Sequence, residues 1–147
     1  SKDFGIAGIR AGYAIMHPSR IKQLLSNGFL WNSNGLAEYF FKLYTREKFQ
    51  NEYEVVRKQY IRDTQEYFKI LNEIDAIKQY PSQANFALLE LKSGILADDF
   101  AFGLLVKSGV YTRTCSDKIG LDGEFIRLAS RSAIENKEII TAIKDAL

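Results

Sequence analysis

The chain has 147 residues, 46% of them apolar and 26% charged, with a formal net charge of +2. That length supports a domain with a proper core, and the composition is that of a folded protein rather than a disordered or fibrous one. The small, dispersed charge argues against nucleic acid and anionic membranes, no apolar run approaches the roughly 20 residues of a membrane span, and the single Cys115 excludes an internal disulfide and fits a reducing, cytoplasmic compartment.

The first stretch is Ser1-Lys2-Asp3-Phe4-Gly5-Ile6-Ala7-Gly8-Ile9-Arg10-Ala11-Gly12-Tyr13. Lys2 and Arg10 are two cations set among Gly5, Gly8 and Gly12, which let a backbone turn sharply and approach a ligand. A lysine with apolar neighbours can act as a nucleophile toward a carbonyl. An arginine offers a rigid fork of donors to a phosphate. By composition alone, the same residues make a Gly-rich loop with two solvated cations, which is a weak signal.

Tyr13-Ala14-Ile15-Met16 reads as a short buried strand. His17-Pro18-Ser19 opens a helix with Pro in its first turn, Ile21, Leu24 and Leu25 on its apolar face and Asn27-Gly28 at its end. His17, the one histidine, could be a general base, but a helix-entry role is the reading preferred. Trp31 is expected to pack between the two parts of the chain rather than face a ligand, and Asn32-Ser33-Asn34-Gly35 reads as a loop. A helix follows over 36–44. From Arg46 to Ile74, Phe49, Tyr53, Val56, Tyr60, Thr64, Tyr67, Leu71 and Ile74 recur at three- and four-residue steps, the face of one long helix and the strongest periodic signal in the chain.

Pro81-Ser82-Gln83-Ala84-Asn85 breaks that pattern, and Phe86–Leu91 reads as a strand. A helix is expected over 97–107, ended by Gly109. Strands are expected over 110–114 and 124–129, as a small antiparallel pair. Ser132 with Glu135 three residues on makes a capping box, opening a last helix with Ile139, Ile140, Ile143 and Leu147 on one face. Cys115 has no base and no metal-ligand spacing beside it, so it reads as packing and no metal is expected.

The ordered string Ser-Lys-x-Phe-Gly-x-Ala-Gly-x-Arg-x-Gly-Tyr closely resembles the lysine motif of the class I/II aminotransferases, fold-type I pyridoxal-phosphate enzymes. It is similar to histidinol-phosphate aminotransferase and threonine-phosphate decarboxylase. The resemblance implies that Lys2 is the Schiff-base lysine, that Arg10 holds the phosphate of pyridoxal 5'-phosphate, and that the chain is the C-terminal portion of a longer enzyme. The implied fold is α/β with an α+β small domain, having a long interdomain helix and a small sheet covered by helices. Residues 1–45 would close the large cofactor-binding domain and 46–147 would form the small domain. The Pro-Ser-x-Ala-Asn-Phe string also looks like the family. It would put Asn85 on the substrate side of the cleft, with a cap for the turn before the strand as the equal alternative.

An arginine in the middle of an apolar strand is costly unless an anion meets it, and Arg127 is placed so. In Phe-Ile-Arg-Leu-Ala-Ser-Arg it matches the family position whose guanidinium forks the substrate α-carboxylate. Arg113, fourteen residues earlier, has the spacing of enzymes that also grip a distal phosphate or acid. An internal salt bridge for Arg127 and a solvated cation for Arg113 are the alternatives, and Arg131 is expected on the surface.

The resemblance makes transamination between an amino acid and a keto acid the first expectation, in a homodimer, with no nucleic acid or membrane partner. Decarboxylation of a phosphorylated amino acid is the second. A folded piece that is inactive by itself, and a nucleotide-binding loop lacking the Walker order, are the rivals from other classes.

Overall fold

The computed structural model describes residues 4–28, 33–92 and 94–147. The chain falls into two compact units, Ser1–Val55 and Val56–Leu147.

In the first unit, a short 3₁₀ turn at Ala7–Ile9 ends at Arg10, whose φ of 52° lies in the left-handed region. Helix α1 (Pro18–Ser26) begins as its sequence demands. Pro18 fills the first turn, and the His17 ring caps it, with Nδ1 accepting from the Ser19 N–H at 3.4 Å. His17 is thus the helix-entry residue. Helix α2 (Gly35–Tyr44) is capped by Asn34, whose Oδ1 accepts from the Ala37 N–H at 2.9 Å. Asn34 Nδ2 also donates to the Ile9 carbonyl at 2.8 Å, which ties the glycine-rich loop to α2. Phe4 sits among rings, 4.9 Å from Phe40, 4.9 Å from Tyr44 and 4.7 Å from Tyr53.

The expected buried strand at 13–16 does not form. These residues adopt no regular structure, and Tyr13 and Ile15 are 84% and 91% exposed. A strand needs a neighbour for its backbone groups, and among the described residues nothing pairs with this segment. The expectation for Trp31 lies outside the described residues.

Helix α3 (Glu47–Asn72) has 26 residues, about 39 Å at 1.5 Å per residue. Its predicted stripe splits. Thr64, Tyr67 and Leu71 are buried, as is Phe68, whereas Val56 is 66% exposed, and Phe49 and Tyr53 join the aromatic group of the first unit. After α3 come β1 (Ile77–Gln79), β2 (Phe86–Leu91), α4 (Ala97–Ser108), β3 (Arg113–Thr114), β4 (Phe125–Ala129) and α5 (Ala133–Ala146).

The strands form one antiparallel sheet in the order β1-β2-β4-β3. Strand β1 was not foreseen: three residues carry too little pattern to read. Strand β3 is shorter than expected because α4 closes into it. Gly109, at φ 67°, returns its N–H to Leu105, and Val110 returns its own to Leu104, so Val110 belongs to the helix end. The capping box at Ser132 and Glu135 is complete.

One face of the sheet carries Ile77, Ala87, Leu89, Leu91, Ile126 and Leu128. It packs with Tyr67, Phe68 and Leu71 of α3, Phe100 and Leu104 of α4, and Ile139, Ile140 and Ile143 of α5 as a single core. Each large side chain so buried contributes about 1.5–3 kcal/mol. Strand β2 alternates half-buried and buried along its length, so Phe86, Leu88 and Glu90 point the other way. That second face carries the predicted substrate arginines.

Candidate active site

Lys2 lies outside the described residues. Arg10 is exposed, and its Nη1 donates to the Ala7 carbonyl at 3.1 Å. Among the described residues no carboxylate pairs with it. A Cβ added at Gly5, Gly8 or Gly12 would meet nothing within 4 Å, so the loop around Arg10 is open. The remaining guanidinium donors, in that open glycine loop, fit a phosphate. Arg10 belongs to the first compact unit, and Asn85, Arg113 and Arg127 to the second.

The sheet brings Arg113 and Arg127 together. They are direct partners across β3 and β4, and Arg127 is the direct partner of Leu88 across β4 and β2. All three therefore stand in one row on the face away from the core. Arg127 is exposed there, not buried, so its position in an apolar strand costs less than the sequence suggested: the apolar residues beside it turn inward. The alternative of an internal salt bridge fails for Arg127, because no carboxylate among the described residues meets it. Its guanidinium instead lies over the Phe86 ring, 5.1 Å from the centroid. Arg113 is not a free cation. Its Nη2 donates to Asp117 Oδ2 at 3.0 Å, an oxygen that also accepts from Lys118 Nζ at 2.6 Å. The Asp117 carboxyl is held below its ordinary range, first by the Lys118 hydrogen bond. Like charges set opposite one another across strands are unfavourable, so this row of two guanidinium groups is chemically suited to an anion.

Asn85 precedes β2. It does not cap the turn. Ser82 does that, its Oγ donating to the Phe86 carbonyl at 2.6 Å and accepting from the Ala84 N–H at 3.1 Å. Asn85 Oδ1 is buried with no hydrogen-bond partner, an acceptor still open to a donor. Ser82, Phe86 and Asp117 shape this face and were missed. Ser82 was legible as a turn residue, while the Phe86–Arg127 contact depends on strand register. A groove of about 390 Å³ flanks the row, with Phe102 and Leu105 of α4 on one wall and Thr112, Arg113 and Asp117 on the other. Arg131 is a surface residue, as expected, paired with Glu135 at 3.0 Å. Cys115 is buried. No helix among the described residues is long and apolar enough to cross a membrane.

Four similarities bear on this arrangement. The profile of the family described as aminotransferase class I and II matches residues 1–144. The L-serine phosphate decarboxylase of Campylobacter jejuni is 56% identical over 145 residues, covering 99% of this chain and 37% of its own length. A solved decarboxylase from Sulfurospirillum multivorans superposes with a TM-score of 0.92 at 48% identity, over 98% of this chain and 41% of that one. The histidinol-phosphate aminotransferase of Clostridium acetobutylicum superposes at 0.81 and 27% identity, over 97% and 42%. The chain thus spans 37–38% of the length of the curated decarboxylases it matches.

Proposed function

The chain belongs to the aminotransferase class I and II family of pyridoxal-phosphate enzymes, and we propose that it is the C-terminal part of a decarboxylase of a phosphorylated amino acid, with L-serine phosphate as substrate. The observation that carries this reading is the 56% identity to L-serine phosphate decarboxylase across 99% of the chain. Transamination with a keto acid, first choice from the sequence, becomes the second reading, favoured by the likeness to histidinol-phosphate aminotransferase. In the proposed layout, residues 1–45 complete the large domain, 46–147 form the small one, and the enzyme is a homodimer.

Bound pyridoxal 5'-phosphate supplies an electron sink for the pair left when a bond to the α-carbon breaks. Arg10 holds the cofactor's phosphate with the guanidinium donors that the Ala7 carbonyl leaves over. Arg127 forks the substrate α-carboxylate, and its stacking on Phe86 limits the planes in which that carboxylate can lie. Arg113 meets the distal phosphate, exchanging its exposed Asp117 partner for a stronger anion. Two anions on adjacent arginines fix the substrate at both ends, which is how orientation selects the bond that breaks. Lys2 Nζ would hold the cofactor at rest and, once freed by the incoming substrate amine, would return a proton to the α-carbon after CO₂ leaves. Asn85 Oδ1 accepts from a donor on the substrate side.

The test uses the full-length protein with L-serine phosphate and no keto acid. The expected outcome is stoichiometric CO₂ release. Turnover only when a keto acid is added, with no CO₂, would establish transamination instead. Lys2→Ala abolishes both turnover and the Schiff-base absorbance. A Lys2→Ala enzyme with normal absorbance sinks the assignment of the lysine.

A further inference from the structure

Three of the buried polar side chains of the second unit form one cluster that has no part in the mechanism above: Thr64 on α3, Ser130 just after β4, and Asn136 on α5. The Thr64 and Ser130 hydroxyls lie 2.8 Å apart, and Asn136 Nδ2 donates to Ser130 Oγ at 3.3 Å. The Ser130 backbone is engaged as fully. Its N–H donates to the Asn85 carbonyl at 2.8 Å, and its carbonyl accepts the Tyr60 hydroxyl at 2.8 Å. Asn136 Oδ1 also accepts from the Arg131 N–H at 2.7 Å. Ser130 is therefore held by α3, by α5 and by the residue that leads into β2.

Such a cluster is not needed for stability alone, since apolar groups of the same shape can replace a hydrogen-bonded pair at little cost. What hydrogen bonds add is direction. The Asn85–Ser130 bond lies one step beyond the Phe86–Ala129 pair, where the ladder between β2 and β4 ends. Phe86 is the ring under Arg127, and Asn85 carries the unpartnered Oδ1. The cluster thus clamps the two strand ends that bear the substrate-facing groups.

We propose that Thr64, Ser130 and Asn136 are positioning residues that hold Arg127 and Asn85 at the level where the substrate carboxylate is gripped. This rests on the carboxylate role given to Arg127. The full-length enzyme is assayed with L-serine phosphate, and its inhibition is measured with 2-aminoethyl phosphate, the same molecule without the carboxylate. Thr64→Val keeps the shape and removes the hydroxyl. It is expected to raise KM for L-serine phosphate about tenfold, a misplacement effect, while the inhibition constant of 2-aminoethyl phosphate stays unchanged. Thr64→Ser restores the hydroxyl and should bring KM back to within about twofold of the parent, since the lost hydrogen bond is remade. Ser130→Ala, a smaller perturbation of the fold, should follow Thr64→Val. An unchanged KM, or equal weakening of both molecules, overturns the positioning role. Arg127→Lys is the control. If it separates the two molecules and Thr64→Val does not, the positioning role alone fails. If Arg127→Lys weakens both alike, the carboxylate role fails and the proposal with it.

Discussion

Residues 56–147 enclose a core shared by the sheet and three helices, whereas among the described residues of the first unit only Ala37 is buried. The first unit is not poor in apolar residues. Ile15, Leu24, Leu25, Leu36 and Tyr39 are all exposed, while the rings gathered around Phe4 supply much of its internal contact. The difference teaches that amphipathic sequence makes helices locally, but a core needs a second layer to receive their apolar faces.

The largest test of that contrast is truncation on each side of it. Leu71→Ala or Leu89→Ala should cost about 2–5 kcal/mol in chemical denaturation followed by circular dichroism, as buried leucines do. Leu24→Ala should stay within about 0.5 kcal/mol, as exposed substitutions do. Equal losses would break the contrast. Amide hydrogen exchange should agree, with α1 exchanging faster than β2 and α5.

A kinetic comparison sharpens it next, because the proposed substrate arginines, Arg113 and Arg127, stand on the sheet face away from the core. Arg127→Lys in the full-length enzyme keeps the charge but loses the second hydrogen bond. It should cost roughly 1.5–3 kcal/mol, or about ten- to a hundred-fold in kcat/KM, with little change in melting temperature. Arg113→Ala should damage turnover of a phosphorylated substrate and spare a short neutral one. Equal losses on both would leave Arg113 a structural role only.

The smallest effect belongs to the capping box. The Glu135 carboxyl is lowered from 4.5 to about 2, first by the Ser132 hydroxyl, then by the Ser132 N–H and the Arg131 side chain. A depressed carboxyl contributes stability that is complete above its unfolded value and is lost as pH falls through its folded one. The stability gap between the parent and Glu135→Gln should therefore close between about pH 4.5 and pH 2. A gap independent of pH in that window would remove the carboxylate from the cap.

Much of the second unit was legible in the sequence. Gly109, the Ser132–Glu135 box and the apolar run Phe86–Leu91 each state a local conformation, and the structure follows them. What the sequence could not state was pairing. Strand β1 exists because Leu89 and Leu91 present it with a partner, and 13–16 stays irregular because no described residue does. The same limit held at the site. The residue types of Arg113 and Arg127 were readable from motif and chemistry. Their direct register, the ring beneath Arg127 and the hold of Asp117 on Arg113 are products of tertiary structure.

That register gives the sheet a metric use. Adjacent strands lie about 4.8 Å apart, a spacing fixed by backbone hydrogen bonds rather than by side chains. Under the roles proposed for them, two arginines in register across β3 and β4 would therefore act as a ruler for the distance between two anionic groups on one small molecule. In the proposed role, a substrate with a longer spacer between carboxylate and phosphate cannot be accommodated by moving strands. It needs different side-chain lengths at 113 and 127, and chain-length preference becomes a property that those two positions alone can be mutated to change.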